Sequence, residues 1–133
     1  MNKITAAATF AFVLLSPARS DASIHINGHM LLDMCSASLE ITDPAKARTD
    51  STSALNAGYC IGLMQGLIDA TQSYELSKKI GYICLPAPIP PKNHEAAAIV
   101  VKYLRAHPSD LNTYGPALAI RALKDAYPCK ERS

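Results

Sequence analysis

The sequence predicts an all-α fold, a small four-helix domain of two helical hairpins stapled by two disulfides. Three observations support this. Apolar residues recur at helical spacing in four segments. No segment shows the strict alternation of a half-buried strand, and no repeat recurs at a fixed period. The 4 cysteines, an even count, all lie downstream of an apolar leader.

The first helix is expected to begin at an Asn27 cap and run to about Leu39, with Leu31, Leu32, Cys35 and Leu39 on its stripe. A polar stretch from Thr42 to Asp50, containing Pro44, connects it to the second. Ser51 or Thr52 is the expected cap there, and the helix runs to about Leu76. Its apolar members include Leu55, Tyr59, Leu63, Leu67 and Ile68. Lys78 and Lys79 suit a helix C-terminus, and Gly81 suits a stop.

Leu85 to Lys92 holds Pro86, Pro88, Pro90 and Pro91, which forbids helix and favours extended backbone. A cap at Asn93 then opens the third helix. Ala96, Ile99, Val100, Tyr103 and Leu104 form its stripe, and Pro108 ends it. After a short link, Ser109 to Thr113, Pro116 fits the first turn of the fourth helix. Ala119, Ala122, Leu123, Ala126 and Tyr127 line that helix, and Pro128 stops it.

The N-terminus reads as a signal peptide over residues 1–22. Lys3 supplies the positive region, Ile4 to Leu15 is uncharged, Pro17 breaks the run, and small residues follow. Cleavage fits after Ser20 or after Ala22. The apolar run is too short for a bilayer span, which needs roughly 20 residues. No cysteine near the cut offers a lipid anchor. The expected mature domain is therefore 23–133, in the periplasm.

With 13 basic and 11 acidic residues, the chain is too evenly charged for electrostatic capture of nucleic acid or an anionic membrane. Trp is absent, and both phenylalanines, Phe10 and Phe12, lie in the leader. The core must therefore be aliphatic, with Met and Ala, which suits close-packed helices.

Cys35, Cys60, Cys84 and Cys129 behind a signal peptide argue for an oxidising compartment. Their wide spacing, without a Cys-x-x-Cys pair, argues against zinc. Four cysteines allow three pairings. The hairpin layout favours Cys35 with Cys60 and Cys84 with Cys129, because each pair joins neighbouring elements. Each bridge is expected to stabilise by roughly 2–4 kcal/mol.

Gly58, Gly62 and Gly66 fall four apart in the second helix, between Ala54 and Ala70. Each glycine costs about 1 kcal/mol relative to alanine in a helix interior. Close approach of another backbone would offset that. A helix of the same chain is the preferred neighbour, and a twin subunit the alternative. His25, His29 and Asp33 are also four apart, but His25 precedes the cap, so a metal site is disfavoured. His107 suits the dipole at the end of the third helix. Asp69 reads as a buried acceptor or a contact residue. No Gly-x-Ser-x-Gly elbow, phosphate loop or carboxylate pair is present, so no catalytic residue and no cofactor is expected.

Several motifs stand in a characteristic order. They are Asn27-Gly28, Leu31-Leu32 and Cys35; Gly58-Tyr59-Cys60-Ile61-Gly62 with Gly66 and Asp69-Ala70; and Ile83-Cys84-Leu85-Pro86. Val100-Val101-Lys102-Tyr103-Leu104 with His107-Pro108 follows, then Ala122-Leu123 and Ala126-Tyr127-Pro128-Cys129. The series resembles the Rap/Tai family of immunity proteins from about Asn27 to Cys129. The resemblance implies a small, mainly helical periplasmic protein, often dimeric, that does no chemistry itself. It implies binding to a peptidoglycan amidase delivered by type VI secretion, with the amidase's active site blocked. The matched motifs are structural, so the resemblance designates no contact residue. The loops Leu85 to Lys92 and Ser109 to Tyr114 are the expected contact surface, since loops on rigid scaffolds often carry binding.

Two other classes compete with this reading. A small acid-stress chaperone would also be helical and disulfide-bonded, and would expose apolar surface as pH falls. An enzyme or metal carrier is less favoured, for want of a nucleophile, base or ligand cluster.

Overall fold

A computed structural model of the chain describes residues 25–43, 45, 50–73 and 83–129. The expected signal peptide, Leu76 and the Lys78–Gly81 stop lie outside them. Four α-helices follow in order: α1 (Gly28–Ile41), α2 (Ser51–Gln72), α3 (Asn93–Ala106) and α4 (Gly115–Ala126). A 3₁₀ turn, Pro108–Asp110, occupies the link before α4, where only a polar connection was expected. Among the described residues the single β-contact is an isolated bridge between Asn27 and Tyr114.

The helix starts follow from side-chain capping. Asn27 Oδ1 accepts the Met30 N–H at 3.0 Å and so satisfies one of the first-turn donors of α1. For α2 the cap is Asp50, not Ser51 or Thr52. Its carboxylate accepts both the Ser53 N–H at 2.9 Å and the Ser53 hydroxyl at 2.8 Å. A carboxylate there also faces the positive end of the helix dipole, an advantage a hydroxyl lacks. Likewise Asn93 is the first residue of α3 rather than its cap. Its neighbour Lys92 is the cap, and the Lys92 N–H donates to Glu95 Oε2 at 2.8 Å. In α4, Pro116 sits in the first turn as expected.

α1 is the central element and packs against α2, α3 and α4. The core contains Leu31, Cys35, Cys60, Met64, Val100, Leu104, Leu118 and Leu123, each no more than 1% exposed. Burying a side chain of this size stabilises by roughly 1.5–3 kcal/mol. Ser38 is the single buried polar residue among those described, and its hydroxyl donates to the Cys35 carbonyl at 2.7 Å.

Both disulfides have the expected pairing, Cys35–Cys60 and Cys84–Cys129. The first sets the rotation of α2. Cys60 must face α1, so Ala57, Met64 and Ile68, at helical spacing from it, turn inward as well. Leu55 and Tyr59, expected on the apolar stripe, are instead 76% and 37% exposed. An apolar sequence all round a helix leaves its rotation open, and here the cross-link decides it.

The same rotation corrects the glycine row. Gly58, Gly62 and Gly66 are exposed. A Cβ placed on any of them meets no described atom within 4 Å, so no described helix of this chain approaches them. The intimate backbone contacts belong to other glycines. A Cβ on Gly28 would lie 2.8 Å from Leu111 Cα and 2.9 Å from its carbonyl oxygen. One on Gly115 would lie 2.8 Å from the Asn27 carbonyl oxygen. These glycines let the start of α1 lie directly on the segment before α4. The Gly28 N–H donates to the Thr113 carbonyl at 3.0 Å, and the Gly115 N–H to the Ile26 carbonyl at 2.8 Å.

Candidate partner-binding surface

The proline segment is held at both ends and bare in the middle. At its start Ile83 is buried, Cys84 is bridged to Cys129, and the Cys84 N–H donates to the Tyr127 carbonyl at 2.9 Å. At its end Pro91 is buried. Asn93 Nδ2 donates to Gln65 Oε1 at 2.9 Å, and Gln65 Nε2 donates onward to Asp69 Oδ1 at 2.8 Å. Asp69 is therefore an exposed link in a polar chain, not a buried acceptor. Between these anchors the backbone carries a cis Ala87–Pro88 peptide, and Ile89 is 78% exposed, the most exposed of the large apolar side chains described. An open recess of about 430 Å³ separates the segment from α2, with Ile68, Asp69, Gln72, Ile89 and Pro90 among its walls.

The second expected loop, Ser109 to Tyr114, lies at the opposite end of α3. The Asp110 carbonyl accepts the Thr113 hydroxyl at 2.7 Å and the Thr113 N–H at 2.9 Å. The Asn27–Tyr114 bridge ties the loop to α1. Tyr114 is 56% exposed, and His25 meets it edge-on with ring centroids 6.4 Å apart. Tyr59 of α2 is close by. Burial pushes its phenol above the ordinary tyrosine value, and the charge of Tyr114 adds to the rise.

The outer face of α2 carries Leu55, Gly58, Ile61, Gly62, Gln65 and Gly66, all exposed, and its first charge is Asp69. Most solvent-facing helix surfaces are polar. This one carries no charge before Asp69, and Gly58, Gly62 and Gly66 leave a strip of it without side chains.

His29 and Asp33 are exposed on α1, while His25 faces Tyr114, so the three do not converge. Among the described residues no group of three His, Cys, Asp or Glu side chains could hold a metal ion. His107 closes α3: its ring stacks on Tyr103 with centroids 4.1 Å apart, and Nδ1 lies 2.9 Å from the Tyr103 carbonyl oxygen. Among the described residues no helix is long and apolar enough to cross a membrane.

Sequence reasoning placed the two loops but missed Ile89 as the exposed apolar tip, because periodicity says nothing about exposure outside regular elements. The four prolines were the available signal. It also missed Gly28 and Gly115. Their signal was position: one directly follows a helix cap and the other directly precedes a first-turn proline.

No curated protein and no solved structure matches the chain significantly. A family model described as Rap1a immunity proteins matches residues 27–129, from the cap of α1 to the last cysteine.

Proposed function

Because the chain belongs to the Rap1a immunity protein family, we propose that it protects its cell by binding and occluding a peptidoglycan amidase toxin delivered by type VI secretion. Its place of action is the periplasm, reached after removal of the signal peptide at 1–22, and the working domain is 23–133. The two disulfides are compatible with that oxidising compartment. The protein acts by binding and not by catalysis.

One observation carries the choice of contact surface. The Leu85–Lys92 segment is anchored at both ends, and Ile89 projects from it almost fully exposed. An apolar side chain on a prearranged loop binds without a large ordering cost. A concave enzyme cleft is the kind of partner such a projection fits. Tyr114 and the 109–114 loop supply a second contact. The outer face of α2, uncharged and open along its glycines, seats a second copy of the chain. Among the described residues, no atom packs against those glycines to offset what they cost the helix.

The test is protection and binding together. A periplasm-directed amidase encoded beside this gene should be lethal alone and tolerated when this protein is co-expressed. Ile89→Asp should weaken the complex by at least about tenfold, as removal of a central apolar anchor does, without altering the circular dichroism spectrum. An amidase bound equally well by wild type and variant would reject the loop as the contact. Absence of protection against any neighbouring amidase would reject the function.

A further inference from the structure

The two disulfides lie in opposite environments. Cys35 and Cys60 are each 0% exposed, enclosed between α1 and α2. Cys84 is exposed and Cys129 half-buried, at the foot of the proline segment. Thiol–disulfide exchange requires a thiolate to reach a bridge sulfur. In the folded protein an external thiolate can approach the second bridge, while the first is reached only by opening the core.

The second bridge also has a separable structural task. Cys84 directly precedes Leu85, so the bridge pins the start of the proline segment to the chain beyond α4. The far end depends on other contacts: buried Pro91, the Lys92–Glu95 hydrogen bond and the Asn93–Gln65 hydrogen bond. Neither Cys84 nor Cys129 belongs to the buried cluster that joins α1 to α4, so opening the bridge removes no side chain from that cluster. Opening this bridge would leave the start of the segment to the packing of Ile83 and Leu85 and to one backbone hydrogen bond, from Cys84 to Tyr127.

We propose that Cys84–Cys129 is a redox-sensitive staple, opened by a dithiol reductant in the folded state, that sets whether the proline segment is held in its binding shape. One thiolate of the dithiol attacks a bridge sulfur, forming a mixed disulfide and releasing the other cysteine as thiolate. The second thiol of the reductant then attacks the mixed disulfide. The reductant leaves as its own disulfide, two electrons pass to the protein, and with two protons Cys84 and Cys129 become thiols. Cys35–Cys60 stays oxidised, and the helices persist. That the staple governs toxin binding rests on the contact surface proposed above.

The test begins with the oxidised wild-type protein, treated with dithiothreitol under native conditions, alkylated at intervals and mapped by peptide mass spectrometry. Cys84 and Cys129 should be labelled at least about tenfold faster than Cys35 and Cys60, with helical circular dichroism retained. Equal labelling rates, or loss of helix together with the first labelling, would overturn the staple. In a Cys84→Ser/Cys129→Ser variant, exchange of the residue-84 amide, which donates to the Tyr127 carbonyl at the start of the segment, should accelerate while α1 and α2 keep their protection. Unchanged exchange at that amide would likewise overturn it. Affinity for the amidase is a separate readout. If the segment loosens and affinity is unchanged, the staple stands and the segment is not the toxin contact.

Discussion

A methyl group on Gly115 would lie 2.8 Å from the carbonyl oxygen of Asn27. The contact is backbone against backbone, and neither side can move without breaking the Gly115–Ile26 and Gly28–Thr113 hydrogen bonds. Gly115→Ala should therefore destabilise the domain by about 1–3 kcal/mol, as overpacking does. Gly28→Ala, whose methyl would meet Leu111 backbone atoms, should cost a similar amount. At roughly 4–8 °C per kcal/mol for a domain of this size, thermal melts will show either loss. An unchanged Tm in both variants would refute the close approach.

The α2 glycines should behave in the opposite way. Alanine at Gly58, Gly62 or Gly66 meets open space and gains about 1 kcal/mol of helix propensity. The monomer's Tm should rise with each. If this face seats a second copy as proposed above, Gly62→Leu should keep the fold but abolish dimers in sedimentation velocity. A Gly62→Leu variant that still dimerises would remove this face as the seam between copies.

Asp50 is the cap that α2 depends on. Asp50→Ala should cost about 0.5–2 kcal/mol, read from urea melts, whereas Thr52→Ala should change stability little. The reverse order would restore the hydroxyl cap that the sequence suggests.

Tyr59 should contribute to a fall in stability at alkaline pH. Its phenol, raised by burial and then by Tyr114, holds its proton more tightly in the folded state than in the unfolded one. The contribution is fully present below the ordinary tyrosine value of about 10 and is lost as pH rises through the higher folded value. Tyr59→Phe should flatten the decline of stability above pH 10, measured by chemical denaturation from pH 8 to 11. A variant that declines as steeply as wild type would place the burden on other groups.

The helices, their order and both disulfides were legible because they follow from strong local rules: helical spacing, proline stops and the nearness of hairpin partners. The rotation of α2 was legible only in part. Of the expected stripe, Ile68 is buried and Leu63 and Leu67 pack against the core, whereas Leu55 and Tyr59 are exposed; the most buried line runs through Ala57, Cys60, Met64 and Ile68, and the bond from Cys60 to α1 fixes it. Gly58, Gly62 and Gly66 drew attention by periodicity, while Gly28 and Gly115, single residues beside a cap and a proline, set the close packing. The expected caps, Ser51 or Thr52 for α2 and Asn93 for α3, gave way to Asp50 and Lys92 because several polar residues at each start compete for one position. Ile89 stood among prolines with no pattern to say which way it would face.

The anchors of the proline segment are independent of what lies between them. Cys84 is fixed by a bridge and Asn93 by its bond to Gln65, and neither link is made by a residue from 86 to 90. The interval can be exchanged like a cassette. If the tip is the toxin contact proposed above, substituting that of another family member between the same two clamps should carry over that member's preference while the helices keep their packing. Choice of target and upkeep of the fold would then fall on different residues, so that one can be altered without disturbing the other.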